Sequence, residues 1–94
     1  MTNTQVIIQT AGDHGPTTID VGEQAQKHVL RTFNPSGEAK VDATKVLCAA
    51  IIQQMIDLRD APDAPPHVKR AASIAITQAE ALQMQAVKAN FVQA

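Results

Sequence analysis

The sequence predicts an all-α fold: an antiparallel hairpin of two long helices, preceded by an N-terminal arm and one short helix. Three observations carry this. Apolar residues recur at helical spacing through two long stretches, the first after Asn34-Pro35 and the second after Pro65-Pro66. Between them "RDAPDAPP" places three prolines in eight residues, which no helix can continue through. The two stretches match in length, roughly 25 residues or about 37 Å each, as a hairpin requires.

Each element has a local reason. Residues 1–19 form the arm, with "TQVIIQT" readable as a short strand or a mobile segment and "AGDHGPTT" as turn chemistry. The hairpin domain spans 20–94. A short helix is expected over 21–31, because Asp20 and Glu23 have capping-box spacing and Val21, Ala25, Val29 and Leu30 give it an apolar stripe. Gly22 in its first turn opposes that assignment. The first long helix is expected over 35–59. Asn34 can accept from its free amides, and Pro35 loses nothing at the first helical position. Val41, Cys48 and Met55 form one seven-residue series and Thr44, Ile51 and Leu58 another, a two-heptad seam. Val46, Leu47, Ile52 and Ile56 widen the apolar surface beyond what one partner helix covers. The second long helix is expected over 66–91, with Asp63 as a candidate cap. Val68, Ala75, Leu82 and Ala89 form one series and Ala72, Ala79 and Ala86 the other, small enough for close backbone approach. Ile74, Ile76, Met84, Val87 and Phe91 are expected to point elsewhere, as a second apolar surface.

Composition narrows the class. A 94-residue chain with 45% apolar residues but only two aromatics has a core of small side chains. Such a core gains stability by association. A helical homo-oligomer is therefore expected, with other subunits covering the surplus apolar surface; the alternative is that the N-terminal helix covers it within one chain. A formal net charge of -1 does not indicate whole-protein attraction to DNA or RNA, so any anion site must be local. Cys48 is alone, which excludes an intramolecular disulfide and a paired-cysteine metal motif, and its neighbours Leu47 and Ala49 make it a buried small hydrophobe. No apolar run approaches the roughly 18 residues of a membrane span, and the N-terminus lacks signal-peptide order. A reducing, cytoplasmic setting is expected.

Catalytic signatures are missing from the sequence. His14, His28 and His67 have no His, Cys or carboxylate partner at i+3 or i+4 on an expected helix, and no nucleophile-elbow, zinc-protease or phosphate-loop pattern occurs. No metal and no cofactor is expected. Glu80 stands out as the sole acid of the second long helix, and the bland reading is a solvated residue. Lys69 and Arg70 occupy the first turn of that helix, where the dipole favours acids. They are expected to pair with Asp60 and Asp63 across the turn. The stretch "FNPSG" supports two readings. A helix beginning at Asn34-Pro35 offers free amides near Ser36 and Gly37, which suit phosphate. Phe33 can stack on a base, and Lys45 supplies a cation if another segment or subunit completes the pocket. The competing account is a capped helix with Phe33 as a hydrophobic staple.

"FNPSGEAKVDATKVLCAAII", followed after a short turn by "KRAASIAITQAEALQMQAVKA", resembles small phage proteins of the anti-CBASS and Thoeris anti-defence hairpin-domain family. The likeness covers roughly residues 31–91. It rests on an aromatic-Asn-Pro-Ser start, a Val-Asp-x-x-Lys turn and the late segment ending in Ala-Val-Lys-Ala. The resemblance implies a sponge, a helical oligomer, often a hexamer, that sequesters cyclic nucleotide messengers of bacterial immunity in the host cytoplasm without cleaving them. It implies that Phe33 stacks on a cyclic dinucleotide, where the family often has tyrosine. Asn34 and Ser36 would be polar contacts, Lys45 the phosphate lysine and Arg70 a contact to cyclic trinucleotides in a separate pocket. The N-terminal extension of about 30 residues has no counterpart in the resemblance. Two other classes stay open: a helical protein that binds a host or phage protein through its apolar faces, and an enzyme degrading the same messenger.

Overall fold

The computed structural model describes residues 3–9, 12, 15–29 and 39–92, with side chains to residue 90. Its elements are strands β1 (Thr4–Ile8) and β2 (Thr17–Val21), a short helix α1 (Glu23–His28), and two long helices, α2 (Ala39–Asp60) and α3 (Pro66–Val92). The helical hairpin is present as expected. The all-α expectation fails at the N-terminal end, where a β-hairpin stands in place of the arm. "TQVII" is strand, and so is "TTIDV", where a turn and a helix start are expected.

The β-hairpin follows from its alternation. Ile19 and Val21 are buried while Thr18 and Asp20 face solvent, the period-2 signature of a half-buried strand. The strands pair antiparallel with Val6 opposite Ile19 and Ile8 opposite Thr17. The connecting loop turns at glycine, and Gly15 adopts φ +69°, a left-handed conformation that a side chain would disfavour.

Pairing of Val21 with Thr4 also explains why α1 starts later than 21. Asp20 is a strand residue that accepts from Asn3 Nδ2 at 3.3 Å, so it caps nothing. The cap is Gly22 in extended geometry, and no side chain closes the helix end. The Gly22 amide instead donates to Gln53 Oε1 of α2 at 2.8 Å, and Gln53 Nε2 is braced on Asp57 Oδ1 at 3.0 Å. The buried Gln26 returns Nε2 to the Val21 carbonyl at 3.1 Å. A strand end, a helix start and α2 are thus tied by backbone groups that would otherwise be unsatisfied.

Helix α2 contacts both α3 and the N-terminal module. Thr44 accepts from Asn90 of α3, while Gln53 accepts from Gly22 of the N-terminal module. Nine residues at about 100° each put these two side chains about 180° apart around the helix. The two polar contacts therefore flank one buried arc of α2, which carries Val41, Cys48, Ala49, Ile52 and Ile56, and α3 and the N-terminal module meet across it, where His28 reaches Glu80. The core is a single cluster: Ile19, Val21, Ala25 and Val29 from the N-terminal module, Cys48, Ala49, Ala50, Ile52 and Ile56 from α2, and Ile76 and Ala79 from α3.

This arrangement corrects the expected seam. Val41 and Cys48 are buried, but Ile51 and Leu58 are 44% and 47% exposed. In α3 the buried positions are Ala72, Ile76, Ala79 and Gln83, so Ile76 enters the core and Leu82 is 54% exposed. The reason is geometric. A strict seven-residue series drifts about 20° per heptad on a straight helix, and a helix with two neighbours has no single seam to hold it. Ile74 and Met84 do face outward as expected. The proline turn ends α2 at Asp60 and starts α3 at Pro66, as expected. The Pro65 carbonyl accepts from the amides of Val68 and Lys69 at 3.0 and 3.1 Å. Among the described residues Asp63 makes no capping bond. The expected starts and ends that fall at 30–38 lie outside the described residues. No helix among the described residues is long and apolar enough to cross a membrane.

Two consequences can be measured. Ile52 is fully buried at the centre of the cluster, so Ile52→Ala should cost about 2–5 kcal/mol in denaturant unfolding at fixed protein concentration. The adjacent Ile51→Ala, on the exposed side, should cost the monomer fold much less. Burial also pushes the Cys48 thiol above its ordinary range. The folded state thus favours the neutral thiol, and the unfolded thiol ionises first as pH rises. The resulting loss of stability should begin near pH 8.5 and grow towards the raised folded value. Cys48→Ala, compared across the same pH range, should lack that alkaline component.

Candidate functional site

Three of the expected ligand contacts, Phe33, Asn34 and Ser36, lie outside the described residues. The first described residue after them is Ala39, where α2 begins at the open end of the helical hairpin. Lys45 is at that end. It shares a helical face with the buried Val41, Ala49 and Ile52 and is itself half-buried. That is the setting of a lysine whose methylene stem lies on apolar surface while its ammonium reaches outward. Beside it Asn90 Nδ2 donates to Thr44 Oγ1 at 2.9 Å and to the Ala86 carbonyl at 3.1 Å, closing α3 onto α2 with polar groups.

Charge is unevenly distributed along the hairpin. Among the described residues, the open end carries Lys40, Lys45 and Lys88 against Asp42 alone. The turn end carries Arg59, Lys69 and Arg70 against Asp57, Asp60 and Asp63, which balance. Among the described residues, positive charge therefore exceeds negative where α2 begins and α3 finishes.

Arg70 does not belong to this cluster. It is exposed near the start of α3. Asn90, which marks the level of Lys45, is twenty residues further along, about 30 Å at 1.5 Å per residue. Within one chain Lys45 and Arg70 are at opposite ends. Of the expected partners of Lys69 and Arg70, Asp60 is engaged differently, since its Oδ1 accepts from Arg59 Nε at 3.1 Å.

Sequence reasoning overlooked a contact between His28 and Glu80. His28 Nδ1 is 2.9 Å from Glu80 Oε2, joining the end of α1 to the middle of α3. The side chains are 28% and 40% exposed. Glu80 is thus not simply solvated. Its solitary position in an otherwise acid-free helix was the available signal, but the partner is 52 residues away and no spacing rule reaches it. Among the described residues no group of three His, Cys, Asp or Glu side chains could hold a metal ion. Lys45 and Asp42 each have a further polar interaction.

A double-mutant cycle checks the role of this pair. His28→Ala and Glu80→Ala should couple by about 0.2–1 kcal/mol, the range for partly exposed ion pairs. Strict additivity would show that the contact contributes nothing to holding α1 on α3. No known protein family, curated protein or solved structure matches this chain.

Proposed function

We propose that this chain is a non-enzymatic binding protein that sequesters a cyclic oligonucleotide messenger. In this reading it acts in the host bacterial cytoplasm as a homo-oligomer, to the benefit of a phage. The observation that carries the reading is the cationic open end of the hairpin. Lys40, Lys45 and Lys88 lie at the same end of the hairpin, and the sequence that precedes α2 supplies an aromatic residue, Phe33. A cyclic dinucleotide presents two bases and two phosphates to those features. Exposed Leu47, Ile51, Leu58, Leu82 and Met84 support assembly, since a lone hairpin would leave them wet. Assembly also offers a way to complete a site around Lys45 from a second copy. Arg70, distant from Lys45, is assigned to a separate cyclic trinucleotide site.

A second reading is favoured by one observation. Leu47, Ile51 and Leu58 lie within a narrow arc of α2 and are all exposed, the pattern of a helix face that meets another helix. The partner on that face would then be a host or phage protein.

Calorimetric titration against cyclic dinucleotides, cyclic triadenylate and a cyclic ADP-ribose isomer separates the two. Sequestration predicts tight binding with fewer than one ligand per chain, and recovery of the ligand intact after denaturation. Lys45→Ala should weaken cyclic dinucleotide binding about 10- to 100-fold with helicity unchanged, the loss of a charge-assisted contact of about 1.5–3 kcal/mol. Arg70→Ala should leave that ligand alone and weaken a cyclic trinucleotide. Silence across the panel would reject the sequestration reading.

A further inference from the structure

The sheet has two strands only, in the order β1-β2, so each has an outer edge with no strand partner among the described residues. A two-stranded sheet is marginal by itself, and an unpaired edge is a template for another strand. Proteins usually protect such edges with lysine, proline or an inward charge. From Thr4 to Gln9, β1 has no charge, no proline and no glycine. Two of its large apolar side chains are also left open, Ile7 at 65% and Ile8 at 40% exposed.

The order of residues in this strand identifies its partner. "QVIIQ", residues 5–9, reads almost the same in both directions about Ile7. Two copies laid antiparallel about a two-fold axis at Ile7 place Gln5 of each opposite Gln9 of the other, Val6 opposite Ile8, and Ile7 opposite itself. Every pair is matched in chemistry, and no charge is buried. Side chains alternate along the strand. Val6 and Ile8 lie on the face that looks onto the core, where Val6 already packs against it. The two Val6–Ile8 pairs would extend that apolar layer across the junction and cover Ile8. On the outer face the two Ile7 side chains would cover each other, flanked by the glutamine pairs, whose amides can donate and accept mutually. β2 has no such property. Turned about Ile19 it would set Thr18 against Asp20, and its carboxylates would be drawn into the junction.

We infer that β1 is a homodimerisation edge, joining two copies through antiparallel β1–β1 pairing centred on Ile7 into a four-stranded sheet. An isologous contact of this kind needs a self-complementary strand. The inference does not involve the ligand or the cationic end of the hairpin, so it stands or falls separately from the proposed function.

Register-specific disulfide trapping tests it. All variants are made on Cys48→Ala, so that each bears only the introduced thiols. Directly opposed residues have Cβ atoms about 4.5–5.5 Å apart, close to bridging distance. Ile7→Cys should give a disulfide-linked dimer in most chains under mild oxidation of the native protein. Gln5→Cys should not, because the axis puts its own copy about four residues, or about 14 Å, away. Gln5→Cys combined with Gln9→Cys should cross-link again. Absence of cross-linking at Ile7, or equal cross-linking at 5 and 7, overturns the register. The exposed Ile7 also tolerates charge in the monomer. Ile7→Lys and Ile7→Glu should each lower the solution mass, with circular dichroism unchanged, and an equimolar mixture should restore it. An unchanged mass for Ile7→Lys overturns the pairing.

Discussion

Helix α2 has to satisfy two neighbours along one buried arc, and most other features follow from that. Ala49 and Ala50 on its buried surface are small, which lets the N-terminal module and α3 lie close to the same helix. Ile52 and Ile56 fill the space that remains. Because backbone polar groups from the module end against this helix, α2 also has to offer polar partners. Gln53 does so for Gly22 while leaning on Asp57. A helix asked to be apolar towards two neighbours has little circumference left for charge. That accounts for a stretch from Val46 to Ile56 without a single charged residue.

The same constraint decides what could be read from the sequence. The helical hairpin was legible, because its prolines interrupt two long periodic stretches and its lengths match. So was the burial of Cys48, Ala72 and Ala79, whose positions sit well inside the apolar arc whatever the partner. The exact seam was not. Seven-residue series assume one partner, and Ile51, Leu58 and Leu82 are exposed because α2 turns its apolar arc towards two. The β-hairpin was half legible. "TQVIIQT" suggested a strand, but β2 was obscured by the Asp20–Glu23 spacing, which imitates a helix cap. Strand pairing with Thr4 outweighs that local preference for Val21.

The candidate site shows a similar division. Lys45 was singled out by its type and by the resemblance, and the structure sets it half-buried on α2. That Lys88 falls at the same end of the hairpin as Lys40 and Lys45 follows only once α2 and α3 are set antiparallel. Arg70 could be singled out as a cation in an unfavourable place, but only the antiparallel geometry shows that it and Lys45 are at opposite ends. The His28–Glu80 contact depends wholly on tertiary placement of α1 and left little trace in either local sequence.

The separation between local and distant contacts has a kinetic meaning. Strand pairing joins residues as close as Ile8 and Thr17, and α2 meets α3 through a five-residue turn. The bonds that fasten one unit to the other span 31 residues for Gly22–Gln53 and 52 for His28–Glu80. Loop-closure entropy makes such distant contacts slow to form relative to local ones. This implies that the helical hairpin assembles first and the N-terminal module docks onto it late. During synthesis the module leaves the ribosome before the surface it needs exists, so its valines and isoleucines wait uncovered until α2 is complete.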